Sequence, residues 1–153
     1  MRVESGSLAD YARVVVDTNV LLSAALAPHG IPAELVDWLL AEKRLVFSQT
    51  TFAELESRIW KPKFDRYFPI ERRKRLLREF NAAAQWVDVP PAIAIQNFSH
   101  DVSDDAFIHV AISANINRLI SGDDDLLCLH PLGSLQILSP RSALTEIRQI
   151  TGD

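Results

Sequence analysis

The chain has few of the residues that build disulfides, cysteine-based metal sites and phosphate loops. A single cysteine, Cys128, excludes an internal disulfide and a zinc site made of several cysteines, so a reducing cytoplasm is the simplest compartment. The five glycines form neither a phosphate-binding loop nor a nucleophile elbow. No apolar run approaches the roughly 20 residues that span a bilayer, and residues 1–12 lack the apolar core of a signal peptide. We therefore expect a cytoplasmic protein without a membrane partner, in which residues 1–12 form a flexible leader.

The remaining sequence has the size and pattern of one α/β domain, which we place at residues 13–150. With 153 residues, 48% of them hydrophobic, the chain can bury a core of its own. Short apolar runs predict buried strands at 13–16, 45–47, 118–121 and 136–138, with a weaker one at 87–89. Helical patterns lie between them, at 20–26, 33–43, 50–60, 69–86, from about 104 onward and at 140–150. This alternation predicts a three-layer α/β/α sandwich with a central parallel sheet of four to five strands.

Charge is distributed unevenly along the chain, although the formal net charge is only −4. Between Arg58 and Arg78, nine basic residues stand against two acidic ones, which gives this stretch a charge of +7. Segment 101–125 instead holds six aspartates against one arginine. A basic stretch beside an acidic cluster suits an enzyme that attracts a polyanion and binds cations. The alternative is a solvated helix face and an acidic surface loop.

Four carboxylates follow the predicted strands in a way that favours a shared site. Asp17 comes directly after the first strand, and Asp123 comes shortly after the strand at 118–121. Asp104 stands at the predicted start of a helix, and Glu54 lies one turn into another. Because sites in open α/β sheets form at the carboxyl ends of the strands, we expect these four side chains to converge.

Four converging carboxylates favour a hard divalent cation. Like charges a few ångströms apart cannot all stay ionised unaided, so one or more pKa values rise unless a cation is bound. Mg²⁺ and Mn²⁺ prefer carboxylate and water oxygens, and the four histidines share no metal-ligand spacing. Such a site activates water and stabilises charge on a phosphate, so the predicted reaction is phosphodiester hydrolysis with in-line attack by water.

Each carboxylate also has a purely structural interpretation. Asp17 and Asp104 are suitable N-caps for the helices that follow them. Asp123 lies in a Gly-Asp turn, where local hydrogen bonds favour aspartate, and Glu54 can pair with Arg58 four residues later. Only the joint placement of the four favours a functional site over these separate explanations.

Four motifs in this order resemble those of the PIN-domain family of nucleases. They are Val14–Leu21 (VVVDTNVL), Thr51–Leu55 (TFAEL), Asp101–Phe107 (DVSDDAF) and Ser121–Leu127 (SGDDDLL). The resemblance extends from about Arg13 to Leu138 and implies a PIN-like fold. It also implies that Asp17, Glu54, Asp104 and Asp123 are the catalytic and metal-binding residues. The resemblance further implies that residues around these ligands orient them or their bound waters, namely Asn19, Ser121, Asp105 and Asp125, with Asp125 as an auxiliary ligand.

A further likeness points to one branch of this family. The segment Trp60–Phe64 (WKPKF) and the SGDDDLL form resemble toxin components of type II toxin–antitoxin systems, the relatives of VapC. This resemblance implies a Mg²⁺- or Mn²⁺-dependent endoribonuclease, a homodimer and a cognate antitoxin. The basic stretch is then expected to contact the RNA substrate or to engage an acidic segment of the antitoxin. The candidate RNA-binding residues are Arg58, Lys61, Lys63, Arg72, Arg73 and Arg75.

Two other functions remain open from the sequence. A phosphatase using Asp17 as nucleophile usually has a second carboxylate two residues later and a downstream lysine, whereas this chain has Asn19 and no lysine after Lys74. A catalytically silent PIN-like module that binds RNA or an antitoxin is the stronger alternative. It is disfavoured because all four acidic positions are filled.

Overall fold

The computed structural model describes residues 6–152, and residues 1–5 of the predicted leader lie outside this range. Its centre is a five-stranded, all-parallel sheet in the order β3-β2-β1-β4-β5. The strands are β1 (Arg13–Val16), β2 (Arg44–Phe47), β3 (Ala84–Trp86), β4 (Arg118–Ile120) and β5 (Gln136–Leu138). The predicted α/β class and the parallel sheet are therefore confirmed.

Strand β1 shows why the sheet is covered on both faces. Val14 and Val16 point into one apolar core, while Val15 points into a second core on the opposite face. Consecutive side chains of a strand alternate between the two faces of the sheet. A run of valines is therefore apolar on both faces, and both must be covered. The covering helices are α1 (Thr18–Leu26), α2 (Ile31–Glu42), α3 (Gln49–Ile59), α4 (Ile70–Ala83), α5 (Pro91–Ala94), α6 (Asp105–Ser113), α7 (Asp124–Leu127) and α8 (Pro140–Thr151).

Local signals explain where several helices begin and end. Ser48 caps α3 by accepting a hydrogen bond from the Thr51 backbone at 3.2 Å, and Ser139 caps α8 in the same way. Gly152 ends α8 in a left-handed conformation with φ of 80°, which glycine adopts without a Cβ clash. Among residues 6–152, no helix has the length and apolar character needed to cross a membrane.

The third strand lies earlier in the chain than its sequence indicates. The pattern predicts a helix to residue 86 and a strand at 87–89, but α4 ends at Ala83 and Ala84–Trp86 pairs with Leu45–Phe47 of β2. Backbone pairing along a sheet edge therefore outweighs local helix propensity here, even though alanine is the strongest helix former. The predicted loop at 90–103 also contains the one-turn helix α5 and a 3₁₀ turn at Val102–Asp104.

The end of the predicted leader packs onto the domain. Residues Leu8–Tyr11 form a 3₁₀ helix, and the Tyr11 ring is fully buried in the core. Asp10 accepts a hydrogen bond from the Asn117 side chain at 3.0 Å and lies 3.5 Å from the Arg118 guanidinium. A buried aromatic ring and charged contacts of this kind hold residues 8–11 against the strand β4.

Candidate metal centre

Two neighbouring strands bring the first and fourth acidic motifs together. Strands β1 and β4 are paired at Val16 and Ile120, so Asp17 and Ser121 leave the sheet side by side. The Ser121 hydroxyl donates to Asp17 Oδ2 at 2.7 Å and accepts from the Asp123 backbone N–H at 3.0 Å. Ser121 is fully buried and thus fixes the relative positions of the two acidic segments.

Three carboxylates in this cluster lie close enough to share one cation. One oxygen from each of Asp104, Asp123 and Asp125 falls within 4.8 Å of the others. Asp104 is buried, and no group among residues 6–152 forms a hydrogen bond with its Oδ2 atom. A buried carboxylate oxygen without a donor is costly, so this atom suits a group that the protein itself does not supply.

Glu54 reaches the cluster from α3 through a second set of contacts. Thr18, the residue after Asp17, donates its hydroxyl to Glu54 Oε2 at 3.3 Å. Arg58 pairs with Glu54 Oε1 at 3.0 Å and also donates to the Asn19 side-chain oxygen at 3.0 Å. The structure therefore places Arg58 beside the acidic cluster, in contact with two residues of the predicted site.

Burial and neighbouring carboxylates raise the pKa values of two aspartates in the cluster. Burial raises the pKa of Asp17, and hydrogen bonds from Ser121 and from the Asn19 backbone offset this only in part. Burial, then the charges of Asp123, Asp101 and Asp17, raise the pKa of Asp104 to about 7. A divalent cation would remove this repulsion, because the same carboxylates would then be ligands.

Glu54 is affected by opposing charges. Its burial raises its pKa, the Arg58 guanidinium lowers it and the charge of Asp17 raises it. Asp17 raises the pKa values of both Glu54 and Asp104, so it links Glu54 to the group of three carboxylates, to which neither Asp17 nor Glu54 itself belongs.

Helix capping accounts for some of these aspartates but not for Asp104. Asp17 Oδ1 accepts from the Asn19 backbone at 3.2 Å, and Asp123 Oδ1 accepts from the Asp125 backbone at 2.9 Å. Both residues are therefore N-caps. The second oxygen of Asp17 accepts from the Ser121 hydroxyl, whereas the second oxygen of Asp123 takes no part in its cap. Asp104 precedes α6 without a side-chain capping bond. Of the four, its burial is the hardest to explain by local structure.

The adjacent Asp105 has a different environment. Its two oxygens accept from the backbone N–H groups of Phe98 at 3.2 Å and Ser99 at 2.8 Å. Asp105, which we expected to orient the metal ligands, therefore anchors the preceding loop instead. Asp101, which the site prediction left out, is exposed and raises the pKa of Asp104 through its charge. Thr18 was also missed, since a hydroxyl next to Asp17 gives no sequence signal that it reaches α3.

The basic stretch is less available to a ligand than its sequence indicates. The prediction that Arg73 contacts RNA conflicts with its burial, because it pairs with Asp65 at 2.9 Å and packs over the Trp60 ring. Arg72 is also engaged, donating to the Ala25 carbonyl at 2.6 Å. An amphipathic helix that packs on a core must bury part of its basic face. The exposed members of the predicted set are Lys61, Lys63 and Arg75.

Two cavities include residues of the acidic cluster. The larger, of about 540 Å³, is lined in part by Glu54 and Ser103 and extends to His109. The smaller, of about 310 Å³, is lined in part by Asn19 and Asp123. Open space therefore adjoins the carboxylates on both the α3 side and the α1 side.

The parallel sheet and the carboxylates at the carboxyl ends of its strands agree with the protein family that the sequence matches. The family model described as a PIN domain matches residues 13–125, and the chain belongs to this family. The uncharacterized protein MJ1680 of Methanocaldococcus jannaschii is 33% identical to it over 120 residues, which cover 77% of this chain and 75% of that protein.

Solved structures with the same fold include toxin proteins of the VapC type. PAE2754 from Pyrobaculum aerophilum aligns with 94% of this chain and 98% of its own, at 16% identity and a TM-score of 0.57. VapBC2 from Rickettsia felis, bound to a DNA fragment from its promoter, aligns with 83% and 98% at 13% identity and a TM-score of 0.56. VapC20 from Mycobacterium tuberculosis, a sarcin-ricin loop cleaving toxin, aligns with 80% and 98% at 12% identity and a TM-score of 0.54. The predicted PIN-like fold is thereby confirmed.

Proposed function

We propose that the protein is a metal-dependent ribonuclease that hydrolyses RNA phosphodiester bonds. Asp17, Glu54, Asp104 and Asp123 would hold Mg²⁺ or Mn²⁺, with Asp125 as an auxiliary ligand. The observation that supports this most is the buried, unpartnered Oδ2 of Asp104 within a group of three carboxylates. An all-oxygen donor set of this kind suits hard divalent cations.

The residues around the carboxylates would prepare the site for this chemistry. A divalent cation held here lowers the pKa of water and neutralises charge on a phosphate. Ser121 orients Asp17 by donating to one oxygen, while the Asn19 backbone donates to the other. Arg58 holds Glu54 and Asn19 in place. Partners of this kind fix the orientation of the ligands before a cation arrives.

We further propose a place for the protein in a type II toxin–antitoxin system. The same fold occurs in VapC20, which is a toxin, and in the VapBC2 assembly. By analogy this chain would cleave RNA as a cytoplasmic homodimer and would be inhibited by a cognate antitoxin. Nuclease activity is tested first, because it follows from the chemistry of the site and not from the fold.

Chelation is expected to abolish cleavage. Wild-type protein incubated with structured RNA should cleave it with Mg²⁺ or Mn²⁺, stop cleaving with EDTA and recover when excess cation is restored. Gel analysis of end-labelled RNA measures each step. RNA that binds but stays intact at millimolar concentrations of either cation would contradict the enzyme and favour a silent binding module.

The exposed lysines after α3 are expected to contribute to RNA affinity. The double change Lys61→Glu and Lys63→Glu should weaken binding on the order of tenfold. It should also reduce the slope of log affinity against log salt by about 1.4, since each phosphate contact on a single strand contributes about 0.7. Filter binding at several salt concentrations measures both quantities.

The matched control places the same charge change at the opposite end of the sheet. Arg44 begins β2 and Lys43 precedes it, so both lie at the amino ends of the strands, away from the acidic cluster. Lys43→Glu with Arg44→Glu should leave the salt slope nearly unchanged. Equal losses in the two double variants would mean that only net charge matters, and the proposed RNA contact would be wrong.

A further inference from the structure

The larger cavity has the size and lining of a ligand site rather than of a packing defect. Its volume of about 540 Å³ lies within the 300–1,000 Å³ typical of ligand pockets. Its walls include the side chains of Val87, Val89, Val102 and Ala106, which follow β3 or flank the start of α6. Apolar walls of this kind suit a flat, weakly hydrated group.

Polar groups lie along the same cavity. Gln49 and Thr50 stand exposed in the first turn of α3. His109 lines the cavity and lies 2.7 Å from the Gln96 carbonyl through Nε2. Because a carbonyl only accepts, Nε2 is the donor in this contact. The cavity thus combines apolar walls with amide, hydroxyl and imidazole groups and with the carboxylates of Glu54 and Asp88.

The position of the cavity relates it to the acidic cluster. Glu54 belongs to its lining, and Ser103 in the same lining directly precedes Asp104. The smaller cavity includes Asp123 and Asn19. A chain molecule whose phosphate lies at the carboxylates can therefore extend into space on either side of them.

We propose that the larger cavity binds one unpaired base of a single-stranded RNA, next to the phosphate that is cleaved. This inference rests on the proposed ribonuclease function and adds a base-binding subsite to it. An unstacked base has a flat apolar face for the valines and alanine and a polar edge for Gln49, Thr50 and His109. Sequence-specific RNA recognition commonly uses bases splayed out in this way. The subsite would make the enzyme prefer loops and single strands over duplex RNA.

Ala94 offers a means of blocking the cavity without disturbing the core. It lines the cavity from the one-turn helix α5 and is exposed. Ala94→Trp should fill the space, whereas Ala92→Trp on the same helix, at an exposed position outside the cavity lining, is the matched control. Equal melting temperatures for the two variants would show that both retain the fold.

Binding is measured with fluorescently labelled RNA hexamers of adenosine, cytidine or uridine and with a hexamer of abasic ribose phosphates. All proteins carry Asp17→Asn, so that the probe stays intact. At least one base-containing hexamer should bind about tenfold more tightly than the abasic one, the effect expected for sequestering one base. Ala94→Trp should remove this advantage, and Ala92→Trp should keep it.

The outcomes test base binding in the cavity separately from nuclease activity at the acidic cluster. Equal affinities of the two tryptophan variants, or of abasic and base-containing hexamers, would overturn the subsite and leave the cavity to a protein segment or a small metabolite. Proteins with an intact Asp17 are also assayed for hydrolysis of bis(p-nitrophenyl) phosphate. This phosphodiester has no nucleobase, so its hydrolysis measures the activity of the acidic cluster alone. Loss of hexamer affinity in Ala94→Trp supports the subsite even if that hydrolysis fails, in which case only the nuclease function is wrong.

Discussion

Replacing Asp17 with asparagine is expected to lower RNA cleavage at least about a hundredfold while the fold is kept. Partners that merely support a metal ligand cost about 10–100-fold when they are changed, and Asp17 is proposed as a ligand itself. Asparagine keeps the size of the side chain and an acceptor for the Asn19 backbone. The Ser121 hydroxyl can reverse its role and accept from the new amide.

The same variant should be at least as stable as the wild type when no cation is present. Burial raises the pKa of Asp17, so its charge is unfavourable in the folded protein, and the neutral amide removes that penalty. Melting temperature and initial cleavage rate, measured on the same sample, separate loss of function from loss of fold.

Asp124→Asn is the matched control for this experiment. Asp124 is exposed, begins α7 beside Asp123 and lies outside the group of three carboxylates. Its substitution changes the net charge by the same amount and should leave the rate within about threefold, as for a surface change away from any special contact. Full activity in Asp17→Asn, or equal losses in both variants, would remove Asp17 from the proposed site.

The sheet and the location of the acidic edge could be predicted from short-range patterns. Strand β1 is a run of valines followed by aspartate, and a strand that is apolar on both faces has to lie inside a covered parallel sheet. Once the strands are parallel, their carboxyl ends share an edge. The convergence of Asp17 and Asp123 therefore follows from topology rather than from any contact visible in the sequence.

The environment of individual side chains could not be predicted in the same way. Adjacent Asp104 and Asp105 are chemically identical, yet one has an unpartnered oxygen while the other binds two backbone N–H groups of a loop. Which of two neighbours faces a cluster depends on how the 3₁₀ turn at Val102–Asp104 joins α6. Helical periodicity says nothing about a turn of three residues.

The basic stretch Arg58–Arg78 shows a second feature that the sequence could not predict, the burial of individual arginines. Charge counts treated Arg73 as a surface residue, although it lies buried against Trp60 and pairs with Asp65. Long basic side chains can cover apolar surface with their stems, so composition alone does not separate a binding residue from a packing one. Only the structure separates the exposed Lys61, Lys63 and Arg75 from the buried Arg73.

Metal binding is expected to stabilise the protein strongly at pH 8 and weakly near pH 5. In the unfolded chain an aspartate has a pKa of about 3.9, whereas burial and neighbouring charges raise that of Asp104 to about 7 in the folded protein. Between these values the folded state binds more protons than the unfolded state, so the stability of the cation-free protein falls as pH rises. Above about pH 7 the penalty is complete.

A cation reverses this dependence because it binds the deprotonated carboxylates and competes with the proton. At a concentration 100 times its dissociation constant, it adds about 2.7 kcal/mol. For a chain of this size, that raises the melting temperature by about 5–10 °C. Calorimetric melting with EDTA or with Mn²⁺, at pH 5 and at pH 8, measures the shift.

Asp104→Asn tests whether this residue causes both the pH dependence of the stability and the stabilisation by Mn²⁺. The amide cannot titrate, so the variant should lose most of the pH dependence of the cation-free melting temperature between pH 4 and 7, together with most of the shift caused by Mn²⁺. Asp37→Asn, a change at an exposed carboxylate of α2 outside both cavities and outside the group of three carboxylates, should retain both. If Mn²⁺ at pH 8 moves the melting temperature of the wild type no further than that of Asp104→Asn, the carboxylates do not act together as a cation site.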